Sequence, residues 1–155
     1  MLPLLDVLRM LADDEAALEE PPVVFGMIGP AAIPPIVAFL TDRSKPVVAH
    51  SAAISAIREI AERHPERRAE CIAILTRILG LTTHPRLVGF AICALLDLPA
   101  AETIDPIRMA FRQGLVDISI PGDLEDVEIA SGLRAHRVTP TPPYMGPSFE
   151  QSIQP

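Results

Sequence analysis

One aliphatic pattern occurs twice in this chain, and it constrains the fold more than any other feature. Residues 52–60 (AAISAIREI) match residues 90–98 (FAICALLDL). Upstream of each copy, Ile33 and Ile36 correspond to Ile72 and Leu75. Because both segments recur together, the repeated unit is a pair of helices. Self-similarity at a period of about 40 residues is typical of stacked helical repeats.

The composition indicates an aliphatic core within one domain. The chain has 155 residues, enough for an independent core. Hydrophobic residues make up 49% and aromatic residues only 4%. Alanine therefore allows close helix packing, while isoleucine and leucine supply the volume of the core.

The charge is unevenly distributed along the chain. The net charge is −7, which argues against general nucleic-acid binding because phosphate affinity requires clustered lysine and arginine. Residues 1–20 carry six acids and one arginine, whereas residues 43–86 carry eight bases and four acids. The segment 97–133 is acidic again, with eight acids and two arginines. The middle of the chain is thus locally basic, although a solvated surface is the simpler interpretation.

Helix signals divide the chain into three parts. Residues 1–22 are predicted to be an N-terminal capping helix, with an amphipathic stripe over 4–19 that Pro21 and Pro22 end. Residues 23–133 form the repeat domain. Residues 134–155 are rich in proline and poor in apolar side chains, so this tail is predicted to be disordered with polyproline II character.

Three antiparallel helix pairs are predicted within the repeat domain. The first pair comprises helices over 30–40 and 46–63. In the second pair, one helix begins at Glu66 and runs to about Leu79, followed by Gly80, and the other covers 86–98. The third pair starts near Ala101. Residues 115–120 are β-rich and predicted to be extended. Asp123 is a good N-cap for a last helix over 124–130. The predicted fold class is all-α, a short α-solenoid of three pairs with a flanking helix at each end.

Three segments of the chain resemble bacterial HEAT-repeat proteins, in particular the uncharacterised PBS-lyase-HEAT-like group. They are residues 28–36 (IGPAAIPPI), 60–66 (IAERHPE) and 116–127 (VDISIPGDLEDV). In that group an aromatic residue commonly follows the Gly-Asp of the last segment, where this chain has Leu124. The resemblance implies an α-solenoid and transfers no catalytic residue.

A dense group of carboxylates is the best candidate for a metal site. It comprises Asp117, Asp123, Glu125, Asp126 and Glu128. Calcium and magnesium prefer oxygen ligands, but the spacing does not follow an EF-hand loop. Acids in a first helical turn also stabilise the helix N-terminus, and this structural role is favoured. No metal site and no cofactor are predicted.

Histidines and cysteines give no recognisable catalytic signature. No serine or cysteine lies in a nucleophile motif, and no glycine-rich phosphate loop is present. Cys71 and Cys93 lie in apolar helical stretches, where a thiol is a poor nucleophile. They are predicted to be buried thiols in a reducing cytosol. Some HEAT-repeat relatives assist bilin attachment, so the resemblance leaves an accessory role of that kind as an alternative.

The start of the chain lacks the features of a secretory signal, because Asp6 and Arg9 interrupt the apolar segment. The uncharged run over residues 87–96 is ten residues long, half of what a membrane span needs. A cytoplasmic protein without a membrane partner is therefore expected.

The predicted function is a non-catalytic protein-interaction module that binds its partner through the solenoid groove. The candidate partner-binding residues are Ser51, Ser55, Arg58, Arg67, Arg68 and Asp97. Clustered arginines favour acidic peptide or phosphate partners, but the interleaved residues Glu59, Glu62, Glu66 and Glu70 favour neutralisation within the chain. Two alternatives remain: an accessory protein for a cofactor or metal enzyme, and a neutralising partner of a toxin through the acidic ends.

Overall fold

The computed structural model of the chain describes residues 20–98 and 100–143. These residues form seven α-helices and three short 3-10 helices, and they contain no β-strand. The predicted all-α class is therefore confirmed for this part of the chain. The helices are α1 (Glu20–Ile28), α2 (Ile33–Thr41), α3 (Val47–Arg63), α4 (Arg68–Leu81), α5 (Pro85–Asp97), α6 (Ile104–Arg112) and α7 (Leu124–Ala130).

Helix α3 is the centre of the packing. It contacts α1, α2, α4 and α5, while α4 also packs against α5 and α6. The interfaces are aliphatic, as the composition predicted: Ala53 and Ile57 of α3 and Ala91 and Ile92 of α5 are all fully buried. Because alanine at positions 53 and 91 allows close approach, the two copies of the sequence repeat lie in packed, neighbouring helices. Burial of each isoleucine contributes about 1.5–3 kcal/mol to this core.

Several helix ends lie where the sequence predicted them. His64 ends α3, and Pro65 begins the 3-10 helix Pro65–Arg67 that leads into α4. The side chain of Asp123 accepts a hydrogen bond from the Asp126 amide at 3.0 Å, and the Asp126 side chain accepts one from the Asp123 amide. Helix α4 ends at Leu81, two residues beyond the predicted end at about Leu79, so Gly80 lies exposed inside the helix.

Helix α1 was not anticipated. Pro21 and Pro22, expected to end a helix, lie inside the helical segment Glu20–Ile28, where the missing amide donors of an early turn are tolerated. The chain then bends at Gly29, whose φ of 80° suits glycine. A Cβ at Gly29 would lie 2.7 Å from the His64 ring, so this turn rests directly on the end of α3. The predicted helix over 4–19 lies outside the described residues.

The expectation of an extended segment over 115–120 is wrong for residues 118–120. Residues 118–121 form a turn, because the Asp117 side chain accepts hydrogen bonds from the amide and hydroxyl of Ser119 at 3.1 and 2.6 Å. Ile120 packs against Gly89 of α5, where a Cβ would lie 3.1 Å from the Ile120 Cβ. Local side-chain hydrogen bonding has therefore overridden the β propensity of the apolar residues.

A longer uncharged segment than residues 87–96 exists. Pro21–Thr41 has 21 residues and, by length and composition alone, is apolar enough to cross a membrane. Such a segment is weak evidence for a membrane span, since the core helices of soluble proteins can be equally long and apolar. In the structure Gly29 bends this segment, and Phe25, Ile33 and Ile36 lie in the protein core. Met27 of the same segment is 70% exposed.

Candidate functional site

The predicted partner-binding residues on α3 and α5 are largely engaged within the chain. Arg58 Nη1 donates to Asp97 Oδ2 at 2.9 Å, and Arg58 Nη2 donates to Glu59 Oε1 at 3.0 Å. The Ser51 hydroxyl donates to the Val48 carbonyl at 2.6 Å, and Ser55 is partly buried. The structure thus brings Arg58 and Asp97 together, and their charges neutralise each other.

The basic cluster at the junction of α3 and α4 also forms the anticipated ion pairs. Arg63 Nε donates to Glu59 at 3.3 Å, and Arg67 Nη1 donates to Glu70 at 3.0 Å. Arg68 begins α4 and is partly buried. Pairs of this kind on a helix surface contribute only a few tenths of a kcal/mol each. Their main effect here is to reduce the positive charge that a partner would meet.

The carboxylate cluster at α7 is occupied by arginines. The Arg137 guanidinium donates to Asp123 at 2.8 and 2.6 Å and to Asp126 at 2.6 Å. These hydrogen bonds from Arg137 are the main reason that the pKa of Asp123 falls from 3.8 to about 2. In return, the pKa of Arg137 is raised by the carboxylates. The first residues of the predicted tail are therefore held against the start of α7.

A second part of the same cluster involves Glu128 and Glu125. Glu128 accepts hydrogen bonds from Arg134 at 3.0 Å and from Arg108 at 3.1 and 3.0 Å, and both arginines lower the pKa of Glu128. Glu125 accepts from the Thr139 hydroxyl at 2.8 Å, which lowers the pKa of Glu125. Residues 134–139 of the predicted tail therefore form hydrogen bonds and ion pairs with α7 and its N-cap, which the proline-rich composition of the tail did not suggest.

These ion pairs bear on two alternative functions, an accessory protein for a metal enzyme and a neutralising partner of a toxin. Across residues 20–98 and 100–143, no group of three or more histidine, cysteine or acidic side chains is arranged as a metal site. The carboxylates at α7 face arginines instead. The same pairing leaves this acidic segment with less unbalanced negative charge for a basic partner such as a toxin.

Sequence reasoning did not predict a cavity that the described residues form. It is an open pocket of about 420 Å³ at the ends of four helices, and we call it the basic pocket. The C-terminal turns of α2 and α4 form its two sides, and the N-terminal turns of α3 and α5 contribute to its base. The aliphatic side chains on the two sides are Val37, Leu40, Ile74, Ile78 and Leu81.

The charges around the basic pocket all have one sign. Arg43, Lys45 and Arg77 line it, whereas no acidic side chain does so among the described residues. The nearest acid in sequence, Asp42, is 3.7 Å from Lys45 and accepts hydrogen bonds from Ser44, which lower the pKa of Asp42. Arg43 and Arg77 are exposed and form no ion pair with a described residue.

The neutral polar side chains that line the basic pocket are two histidines and three threonines. His50 is buried, and its Nε2 lies 3.2 Å from the carbonyl oxygen of Phe39, so this nitrogen carries the proton and donates. No serine or cysteine is among the described residues that line the pocket. Burial raises the pKa of Cys71 to about 11 and also raises that of Cys93. Neither thiol is therefore activated as a nucleophile.

The comparisons with known proteins do not identify a family. No family model matches the chain, and no curated protein and no solved structure matches it.

Proposed function

We propose that this chain is a non-catalytic protein-interaction module of HEAT-like α-solenoid architecture, and that it binds its partner at the basic pocket. The packing of α2 with α3 and of α4 with α5 supports the helix pairs, and the contact between α3 and α5 supports their stacking. The ion pair between Arg58 and Asp97 joins residues that are 39 positions apart, close to the period of the sequence repeat. Stacked pairs of this kind present extended binding surfaces.

The observation that supports this binding site is an open pocket with apolar walls, lined by cations and by no acidic side chain among the described residues. Pockets of about 300–1,000 Å³ with apolar walls and a few polar groups are typical of binding sites, and the basic pocket has about 420 Å³. The charged candidate residues on α3 and α5, Arg58 and Asp97, pair with each other instead. A cytoplasmic partner protein is the occupant that best fits a repeat module without catalytic groups.

Affinity capture from the native host tests this function with two matched variants. Leu81 is 57% exposed at the edge of the basic pocket, whereas Met109 is 47% exposed on α6 outside it. We expect Leu81→Glu to lose a partner that the wild-type chain captures, because a carboxylate enters the apolar edge. Met109→Glu should retain that partner. If mass spectrometry identifies the same captured proteins for both variants and the wild type, binding at the basic pocket is wrong.

A further inference from the structure

The packing of the helices leaves space between α2 and α4. These are the first helices of two successive pairs, and the corresponding helices α4 and α6 are in contact. Helices α2 and α4 are not among the closely packed pairs, and the basic pocket lies between their C-terminal turns. Its sides are thus two helix surfaces, a geometry that suits an inserted helix because side-chain ridges pack into the grooves of neighbouring helices.

The aliphatic residues facing this space are only partly covered. Leu40, Ile74 and Ile78 are partly buried against the core, and Leu81 is largely exposed. Deeper in the pocket, Ile54 is fully buried and closes its base. A ligand with a continuous apolar face would therefore cover these side chains and remove their apolar surface from water, which is favourable.

The cations stand at the exposed margin of the same pocket. Arg43 follows the end of α2 and Arg77 lies in the last turns of α4, so a guanidinium is present on each side. Outside the pocket, Arg86 and Arg112 form no ion pair with a described residue, whereas six other arginines pair with acids of the same chain. These six are Arg58, Arg63, Arg67, Arg108, Arg134 and Arg137. Arg43 and Arg77 thus give the pocket positive charge that no ion pair within the described chain neutralises, in a chain whose net charge is −7.

We propose that the basic pocket binds an acidic amphipathic helix of the partner protein. Its apolar face packs between α2 and α4, and its carboxylates pair with Arg43 and Arg77. This inference depends on the proposed function, because it names the chemistry of the partner at that same site. An amphipathic helix in a hydrophobic groove is a recurrent recognition mode, and guanidinium groups favour forked contacts with carboxylates. A basic helix is disfavoured, because its charges would meet like charges on both sides.

Synthetic helices of equal length test the sign of the charge. The probes are fluorescent peptides of about 15 residues with leucine at i, i+3, i+4 and i+7, and with glutamate, glutamine or lysine at all other positions. Binding to the full chain is measured by fluorescence anisotropy at low and high salt. We expect the glutamate peptide to bind at least about tenfold more tightly than the lysine peptide, and to weaken as salt increases.

Two charge-reversal variants distinguish peptide binding at the pocket from general electrostatic attraction to the protein surface. Arg77→Glu should weaken the glutamate peptide about five- to tenfold and strengthen the lysine peptide. Arg112→Glu makes the same change of net charge on α6, outside the pocket, and should alter affinity less than about twofold. Circular dichroism of both variants checks that they are folded. Both arginines are exposed, so their replacement leaves the core intact.

The outcomes distinguish this inference from the proposed function. The inference is overturned if the glutamate peptide does not bind, if the lysine peptide binds as tightly, or if Arg77→Glu and Arg112→Glu weaken binding equally. It is also overturned if dodecanoate binds at the pocket while the glutamate peptide does not, since the occupant is then a small amphiphile. In any of these cases the proposed function is still supported if affinity capture loses a partner with Leu81→Glu and retains it with Met109→Glu.

Discussion

The contact between Arg137 and Asp123 gives the clearest quantitative prediction. Arg137 lies in the predicted tail, and Asp123 caps helix α7. Asparagine is as good an N-cap as aspartate, so Asp123→Asn keeps the cap and removes the charge. Arg137→Gln removes the cation and leaves the cap untouched. Comparing these two variants with the wild type separates the ion pair from the helix cap.

The magnitude follows from the pKa of Asp123, which the Arg137 hydrogen bonds lower from 3.8 to about 2. A carboxyl with a lowered pKa stabilises the folded state above the pKa of the unfolded chain, and this stabilisation is lost as the pH falls from 3.8 towards 2. Without screening, the shift corresponds to ~2.4 kcal/mol. Because solvent screens a partly exposed ion pair, we expect about 1 kcal/mol. The side chain of Asp123 is 24% exposed.

Two measurements check this prediction. Carbon-detected NMR titration of the Asp123 carboxyl should give a pKa near 2 in the wild type and a value closer to 3.8 in Arg137→Gln. Urea unfolding should show that the wild type loses about 1 kcal/mol more than Asp123→Asn between pH 5 and pH 2. An Asp123 pKa that Arg137→Gln leaves unchanged would refute the reasoning, whatever the unfolding curves show.

Three further predictions concern the packing. In urea unfolding, Gly29→Ala should destabilise the fold by about 1–3 kcal/mol, because it places a Cβ at positive φ and against His64. Gly80→Ala, in the exposed part of α4, should stabilise the fold by up to about 1 kcal/mol. Equal effects of the two substitutions would contradict the structure. Ile57→Ala should lower the free energy of unfolding by about 2–5 kcal/mol, because it leaves a cavity in the core where α3 packs. A decrease below about 1 kcal/mol would show that Ile57 is not in the core. Since burial raises the pKa of Cys71 to about 11, iodoacetamide at pH 8 should modify Cys71 slowly in the folded chain and rapidly in urea, as followed by peptide mass spectrometry. Rapid modification of the folded chain would mean that Cys71 is accessible.

Local signals predicted the middle of the fold well. His64 and Pro65 ended α3 as expected, and Asp123 capped α7, because proline and aspartate act through bonds within a few residues. The repeat correctly indicated that residues 53 and 91 would be buried in helices. These features depend on periodicity and on helix-terminal chemistry, both of which are encoded locally.

The errors arose where distant contacts or competing local bonds decided the conformation. The apolar residues over 115–120 favoured a strand, but Asp117 and Ser119 closed a turn that packs on α5. Pro21 and Pro22 indicate a helix end in the sequence, but they lie inside α1. The contacts of Arg137 with Asp123 join residues 14 positions apart, a separation that no helical periodicity reveals.

The basic pocket could not be located from the sequence, although one signal pointed towards it. The excess of bases over residues 43–86 was visible, and Arg43 and Arg77 belong to it. Which of these bases would lack acidic neighbours depends on the separation of α2 and α4, and that separation is a result of tertiary packing. The charge pattern therefore indicated a region of the chain but not a site.

Methyl NMR with the glutamate peptide reports where an acidic amphipathic helix binds on the protein. In isoleucine- and leucine-labelled protein, the account predicts that the largest shift changes fall on Leu40, Ile74, Ile78 and Leu81 of the basic pocket. Methyl groups of α7 should be unaffected. Shift changes that instead centre on α7, or the absence of any change at saturating peptide, would contradict it.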